Sequence, residues 1–338
     1  YMFGDRTLET TEQGENPQSV KDKVSKVGYP ATFNGFRNRG TTGSLYGDIQ
    51  DSTPAYGKTA SGLAFIVFGA NDGMIHVLSD KTGEELFAII PHTVAVDGDS
   101  ATPSSPIVEY AIPGYSHRFT VDGTVNVVSY KAGGKTNVVA LGTYGKKFKG
   151  GYALNLGSLS AVAGSDGRAV KVADAADIQS LLRWEFDSTA PNDYVGCMLR
   201  APQVFVQKTG DDTAGLYAVY GNGYNAKGDA DGNTSALIVV DVVRGKFVNN
   251  IVAKALATTP ELPDGTYKNG MAEPLVYDYD NDGFADYIYS GDLDGNMYRL
   301  TLVGKSIESS SADAVTDADL QRIAVCYDAS HQRQSITT

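Results

Sequence analysis

The residues best placed to do chemistry lie in one stretch, Asp278-Tyr279-Asp280-Asn281-Asp282-Gly283-Phe284-Ala285-Asp286. Counted from Asp278, carboxylates fall at loop positions 1, 3, 5 and 9, which is the front of an EF-hand-type loop. Alternating carboxylates at that spacing converge on one hard cation. Gly283 permits the sharp turn at position 6, and the Phe284 carbonyl adds an oxygen at position 7. Without a cation, four carboxylates held this close repel one another. Ca2+ is the expected ion, because a flexible loop of many oxygens accommodates its large, loose shell better than it meets the octahedral demand of Mg2+. The flanking helices of an EF-hand and its position 12 glutamate are missing, and Tyr289 stands at that position. The expected metal ligands are therefore Asp278, Asp280, Asp282, Phe284 and Asp286, in a turn that joins two strands and holds them rigid.

Other polar clusters carry less. Asp229-Ala230-Asp231-Gly232-Asn233-Thr234-Ser235 also sets oxygens at alternate positions, but it reads better as a polar hairpin tip than as a second metal site. Asp292-Leu293-Asp294-Gly295-Asn296 has the chemistry of a tight turn and reads as structural. Four histidines, His76, His92, His117 and His331, show no ligand spacing. No nucleophile elbow, phosphate loop, dinucleotide fingerprint or CxxC pair occurs, so no catalytic residue is expected and the chain does not read as an enzyme. Gly69 to Leu78 followed by Lys81-Thr82-Gly83-Glu84 does resemble blade motifs of quinoprotein dehydrogenases, which hold a quinone under two adjacent cysteines. Cys197 is followed by Met198 and Cys326 by Tyr327, and the single tryptophan, Trp184, cannot dock every blade. The fold is expected to be shared and the chemistry not. Cys197 and Cys326 either close a long loop as a disulfide or stand as two thiols.

Charge and hydropathy narrow the partners. Forty acidic residues against 28 basic ones give a net charge of −12, so a polyanion is repelled. The basic cluster Lys146, Lys147 and Lys149 is too small to reverse this, and no nucleic acid partner is expected. No apolar run approaches the ~20 residues of a membrane-spanning helix. The chain opens at Tyr1 without initiator Met or signal peptide, as a processed or excised fragment would.

The elements that must position the acidic loop come from a unit that recurs four times. Its lead strand carries a proline, in Asp51–Tyr56, Pro103–Val108, Leu199–Val204 and Met271–Val276. Its second strand ends in glycine, at Gly69, Gly142, Gly221 and Gly291, with spacings of 73, 79 and 70. Third strands are expected at Met74–Leu78, Gly151–Leu156, Ala236–Asp241 and Asn296–Leu300, and fourth strands at Leu86–Ile90 and Phe247–Val252. Asn71-Asp72-Gly73 and Asp294-Gly295 supply two-residue hairpin turns. A four-stranded meander cannot cover both its faces alone, so such units stack radially. The predicted fold is all-β, a propeller of four-stranded antiparallel blades, with residues 1–48 as a leader packing on it and 49–338 as blades. Arg333–Thr338 reads as the opening of a fifth lead strand, with further blades expected outside this chain. Helices are predicted only over Asp174–Trp184 and, more weakly, Asp317–Ile323.

With these residues in view, the chain resembles the C-terminal β-propeller of the type IV pilus tip-associated adhesin and biogenesis proteins of Gram-negative bacteria. The leader pieces Gly4-Asp5-Arg6-Thr7, Phe36-Arg37-Asn38-Arg39-Gly40 and Gly47-Asp48-Ile49 carry the resemblance. So do Phe68 to Met74, Glu85 to Phe87, Gly221 to Asn225, and the acidic loop running into Gly291–Asn296. The resemblance implies a modified, quinoprotein-like seven-bladed propeller in the periplasm, at the outer membrane or on the cell surface at the pilus tip. It implies support of pilus assembly by opposing retraction, governed by calcium at the Asp278, Asp280, Asp282 and Asp286 positions, with roles in adhesion, twitching motility and virulence. Pilin or minor-pilin subunits are the implied partners. A direct host-receptor adhesin domain and a quinone-dependent oxidoreductase are the competing expectations.

Overall fold

Short runs rich in Val, Ile, Tyr and Phe, parted by Gly, Asn and Asp, pair with their sequence neighbours and build antiparallel meanders. The computed structural model describes residues 46–96, 116–159, 181–188, 193–208, 214–226, 234–253, 269–308 and 310–337. They form four sheets of four strands, each in sequence order. The first blade holds β1 (Ala55–Lys58), β2 (Ala64–Gly69), β3 (Ile75–Ser79) and β4 (Glu85–Ile89). The second holds β5 (Val125–Ala132), β6 (Lys135–Thr143), β7 (Gly151–Asn155) and β8 (Leu182–Phe186). The third has β9 (Gln203–Lys208), β10 (Ala214–Gly221), β11 (Ser235–Asp241) and β12 (Lys246–Ala253). The fourth has β13 (Leu275–Tyr277), β14 (Tyr287–Gly291), β15 (Asn296–Thr301) and β16 (Leu320–Val325). A five-residue helix, α1 (His92–Val96), follows the first blade.

The blade pattern stands as expected, with corrections at its edges. Lead strands begin just after Pro54, Pro202 and Pro274, because a residue without an N–H cannot serve inside the ladder. Pro103–Val108 lies outside the described residues, and the lead strand of the second blade is β5 instead. Gly133 and Gly134, at φ 58° and 73°, make the tight turn into β6, a hairpin signal the repeat pattern had passed over. The end of the helix expected over Asp174–Trp184 is strand β8, where Trp184 pairs with Ala153 and Phe186 is buried. Tertiary pairing overrides local helix propensity there; residues 174–180 lie outside the described set. Asp317–Ile323 likewise divides into a 3-10 turn, Asp317–Asp319, and strand β16. Arg333–Thr338 contributes no strand over its described residues. Arg333 bridges Tyr327, and the Ile336 N–H donates to the Asp292 carbonyl at 2.9 Å. Neither cysteine is in a disulfide; Cys197 is buried and Cys326 exposed.

What holds the blades to one another is visible in the alternation along the middle strands. On β6, Val138 and Ala140 join the cluster shared with the first blade, while Val139 and Leu141 join the one shared with the third. On β11, Ile238 and Val240 face the second blade, and Leu237 and Val239 face the fourth. Both faces are therefore buried, each Val, Ile or Leu stabilising by roughly 1.5–3 kcal/mol. A two-sheet sandwich would leave one face of each sheet to water. Every blade also carries a register shift between its third and fourth strands, at Val77/Leu78, Ala153/Leu154, Val239/Val240 and Met297/Tyr298. A bulge at one fixed place adds the same extra twist to each blade.

At Gly69 and Gly221, two of the glycines that end the second strands, the lead-in of the next blade passes in close contact. At Gly221 an added Cβ would collide with the Ala272 carbonyl oxygen from the lead-in to the fourth blade. On the outer face of the first blade, His76 is 2 % exposed and is clamped by two acids. Its Nδ1 lies 2.7 Å from Glu85 Oε2 and its Nε2 3.1 Å from Asp72 Oδ2, while its ring stacks on Phe68 and meets Tyr46 edge-on. Asp72 also accepts the Gly47 N–H at 2.9 Å, so residues 46–48 are tied to the same turn. Burial alone lowers an imidazole pKa, but the bonds and charges of Asp72 and Glu85 outweigh it and raise His76 to about 9.

Two outcomes follow from this packing. Gly221→Ala should destabilise by about 2–3 kcal/mol, read as a fall in the urea midpoint, since the Ala272 backbone has nowhere to retreat. Because the folded pKa of His76 lies above the unfolded one, its contribution is fully present below about pH 6.5. It disappears as pH rises through about 9, at a cost of at most about 3 kcal/mol. Wild type should lose stability across that window relative to His76→Gln; parallel pH profiles would show that the clamp is not ionic.

Candidate metal centre

The acidic loop spans the turn between β13 and β14, which pair through Leu275↔Tyr289, Val276↔Ile288 and Tyr277↔Tyr287. Its neck is closed by the Asp286 N–H donating to the Tyr277 carbonyl at 3.0 Å. Inside the neck, Asn281 and Gly283 take φ of 59° and 91°, the left-handed region that Asn tolerates and Gly adopts freely. The sequence can therefore reverse direction twice within a few residues.

Each acid spends one oxygen on folding the loop. Gly283 N–H donates to Asp278 Oδ2 at 2.9 Å and Asp282 N–H to Asp280 Oδ1 at 3.1 Å. Phe284 N–H donates to Asp282 Oδ1 at 2.8 Å, and Tyr279 N–H to Asp286 Oδ2 at 2.7 Å. Side-chain acceptors bonded to backbone donors a few residues on are the ordinary device of polar turns.

Beyond that shared role, three of the acids converge. Asp278, Asp280 and Asp286 each present a carboxylate oxygen within 4.8 Å of the others. Asp282 stands outside this group, with its Oδ1 on the Phe284 amide. Phe284 is half-buried at position 7. Like charges at roughly 4 Å cost about 1 kcal/mol per pair in bulk water and about 4 kcal/mol at the effective dielectric of a protein surface. The second oxygen of Asp278, Oδ1, is buried and receives no hydrogen bond. A buried acceptor without a donor is costly, and a cation is the partner that would relieve both it and the repulsion. An all-oxygen donor set spread over this distance fits a hard divalent cation with metal–oxygen bonds of roughly 2.3–2.6 Å.

The other acidic turn is the internal contrast. Asp292 is fully buried and accepts bonds from Asn296 N–H at 2.8 Å, Asn269 Nδ2 at 3.1 Å and Ser235 Oγ at 3.2 Å. Its oxygens are satisfied by neutral donors, as a structural turn requires. Of the weaker candidate, Asp229–Asn233 lies outside the described residues, and Ser235 belongs to β11.

Sequence reasoning missed what anchors the loop from outside. The Ala285 N–H donates to the Val206 carbonyl at 3.0 Å, and Gln207 Nε2 donates to the Ala285 carbonyl at 2.8 Å, both from β9 of the third blade. A glutamine directly after the apolar run Val204-Phe205-Val206 of β9 was the available sign. Leu275, Tyr277 and Tyr279 beside the loop are 62 %, 45 % and 68 % exposed, so the loop opens to solvent among aromatic rings.

Comparison with known proteins agrees with this architecture. The family model described as the PilY1 beta-propeller domain matches residues 49–332. The type IV pilus biogenesis factor PilY1 of Pseudomonas aeruginosa strain UCBPP-PA14 is 28% identical over 298 residues, covering 81% of this chain and 22% of that protein. A PilY1 homolog of Xylella fastidiosa strain Temecula1 is 26% identical over 314 residues, covering 90% of this chain and 19% of its own length. The chain thus spans about a fifth of these curated relatives. The crystal structure of the P. aeruginosa PilY1 C-terminal domain superposes with a TM-score of 0.52 at 25% identity, over 81% of this chain and 48% of that one. Blade architecture and the extent of the family match lead to one conclusion: this chain belongs to the PilY1 β-propeller family.

Proposed function

We propose that this chain is a calcium-binding propeller module of a type IV pilus biogenesis protein, acting at the cell surface or in the periplasm and performing no catalysis. The observation that carries the metal reading is the convergence of Asp278, Asp280 and Asp286 around a buried, undonated Asp278 oxygen. In this reading those three carboxylates bind the ion, and Asp282 and the Phe284 carbonyl complete its oxygen shell. Bound Ca2+ supplies charge neutralisation and fixed geometry to the turn. The pilus assignment is supported by the relatives, which are named as type IV pilus biogenesis factors. It extends to opposing pilus retraction, supporting adhesion and twitching motility, and to pilin or minor-pilin subunits as partners.

The net charge of −12 fits a module that works with its cation bound, because each bound Ca2+ removes two negative charges from its most acidic turn. Host-receptor binding by this module is the competing function. Isolated protein adhering to host cells, with equal strength in calcium and in chelator, would favour it.

Calcium at about one hundred times its dissociation constant should stabilise the protein by about 2.7 kcal/mol. In thermal melts this raises the midpoint by roughly 5 °C. Asp280→Asn and Asp278→Asn should abolish the shift while leaving the calcium-free midpoint unchanged or higher, since each removes a like charge and keeps an oxygen for the turn amide it holds. Equal melting of wild type in calcium and in chelator would sink the metal reading. In a strain carrying Asp280→Asn in the full-length protein, surface pili should fall in number; unchanged piliation would sever the loop from pilus function.

A further inference from the structure

We infer that Gln207 is a positioning residue through which the metal loop of the fourth blade sets the contact with the third. This rests on the calcium reading of the loop above. Gln207 lies on β9 and is 4 % exposed. Its Nε2 donates to two carbonyls of the fourth blade, Ala285 at 2.8 Å and Leu302 at 3.5 Å. The neighbouring residue of β9 takes part as well, since the Val206 carbonyl accepts the Ala285 N–H at 3.0 Å.

The connection to the loop is short and wholly covalent or hydrogen-bonded. Ala285 directly precedes Asp286, one of the three converging acids. Asp286 is itself tied on both sides: its N–H to Tyr277 at 3.0 Å and its carbonyl to the Leu302 N–H at 2.8 Å. Leu302 is the second acceptor of the Gln207 amide. The same buried amide therefore holds the residue before the ligand and the residue bonded to the ligand's carbonyl. Any shift of the Asp286 backbone as its carboxylate meets a cation moves Ala285, Leu302 or both, and each is held by a side chain rooted in the other blade. A buried polar group with partners across an interface resists such movement or transmits it, because leaving those bonds unmade is costly.

The packing around these bonds makes transmission the expected result. Ala285, Ile288, Leu300 and Leu302 of the fourth blade lie in one buried cluster with Phe205, Tyr217 and Val219 of the third. Close-packed interiors pass on displacement where exposed loops absorb it. The lead strand β13, by contrast, is three residues long and exposed at both ends, so it cannot hold the loop in place by itself.

Hydrogen–deuterium exchange on the 338-residue chain, with and without Ca2+, tests this directly, with isothermal titration giving the calcium affinity. In wild type, Ca2+ should slow exchange in the 278–286 loop and also in β9–β10, by severalfold in each. Gln207→Met, which keeps the volume but not the donor, should bind Ca2+ within about threefold of wild type and still protect the loop. Its protection of β9–β10 should be lost. If wild type protects the loop but leaves β9–β10 unchanged, or if Gln207→Met transmits as wild type does, the inference is overturned and the calcium reading stands. If Ca2+ protects neither region, both fall together. Even where the variant does not fold, a wild type that leaves β9–β10 unprotected overturns the inference.

Discussion

The structure depends on sheets that are apolar on both faces. Strands β6 and β11 bury successive residues to opposite sides, so the second and third blades have no face that water can cover. Such sheets must lie between two others. Stacking dictates the glycine at the end of the second strand in the first and third blades, where the lead-in of the next blade passes too close for a side chain, and it rewards a bulge repeated at one place. The outer blades differ accordingly. The first turns Tyr56 to solvent and covers part of the same face with Tyr46 and the His76 clamp. The fourth shows Leu275 and Tyr277.

Because the joints are apolar, the polar groups that do bond across them fix one blade's register on the next. Asn222 donates to the Tyr194 and Thr234 carbonyls and accepts from the Ala236 and Met271 amides, using its whole bonding capacity to join the third blade to the lead-in of the fourth. Glu185 on β8 accepts from Tyr144 and from the first amide of α1, linking the first two blades; burial raises its pKa despite those bonds. Gln207 does the corresponding work beside the acidic loop. The Asp278 oxygen is one of several buried polar atoms without a hydrogen bond among the described residues, and it is the one that sits where three carboxylates meet.

Much of this was legible in the sequence because the signals were local. Alternating apolar runs ending in glycine marked the second strands to within a few residues, and Asp-Xaa-Asp-Xaa-Asp-Gly marked a turn whose acids must face inward. The misreadings came where distant partners decide. Nothing local distinguishes Leu182–Trp184 from a helix end; pairing with β7 makes it a strand. The second blade's lead strand has no proline, so a search keyed on proline settled on Pro106 and overlooked the Gly133-Gly134 hairpin. Spacing also treated the four loop acids alike, whereas backbone geometry separates Asp282 from the three that converge. Spacing gives the order of ligands along a chain, and only φ at Asn281 and Gly283 decides which of them meet.

The place of the loop in the fold bears on why a cation there could matter to a whole propeller. Elsewhere a lead strand has four to eight residues of ladder to hold it; β13 has three. With so few bonds to β14, the lead strand of the fourth blade is held chiefly by what closes its two ends. One end is the proline lead-in against Gly221 and the other is the acidic loop. Repulsion among three carboxylates acts on that second end directly, and its relief is worth several kcal/mol on the Coulomb scale above. That is comparable with what three strand residues contribute by pairing alone, at roughly 0.5–1.5 kcal/mol per net hydrogen bond. In the proposed reading, then, the ion governs whether the fourth blade's lead strand is in place, and through the Ala285 and Gln207 bonds that question becomes one about the joint between two blades.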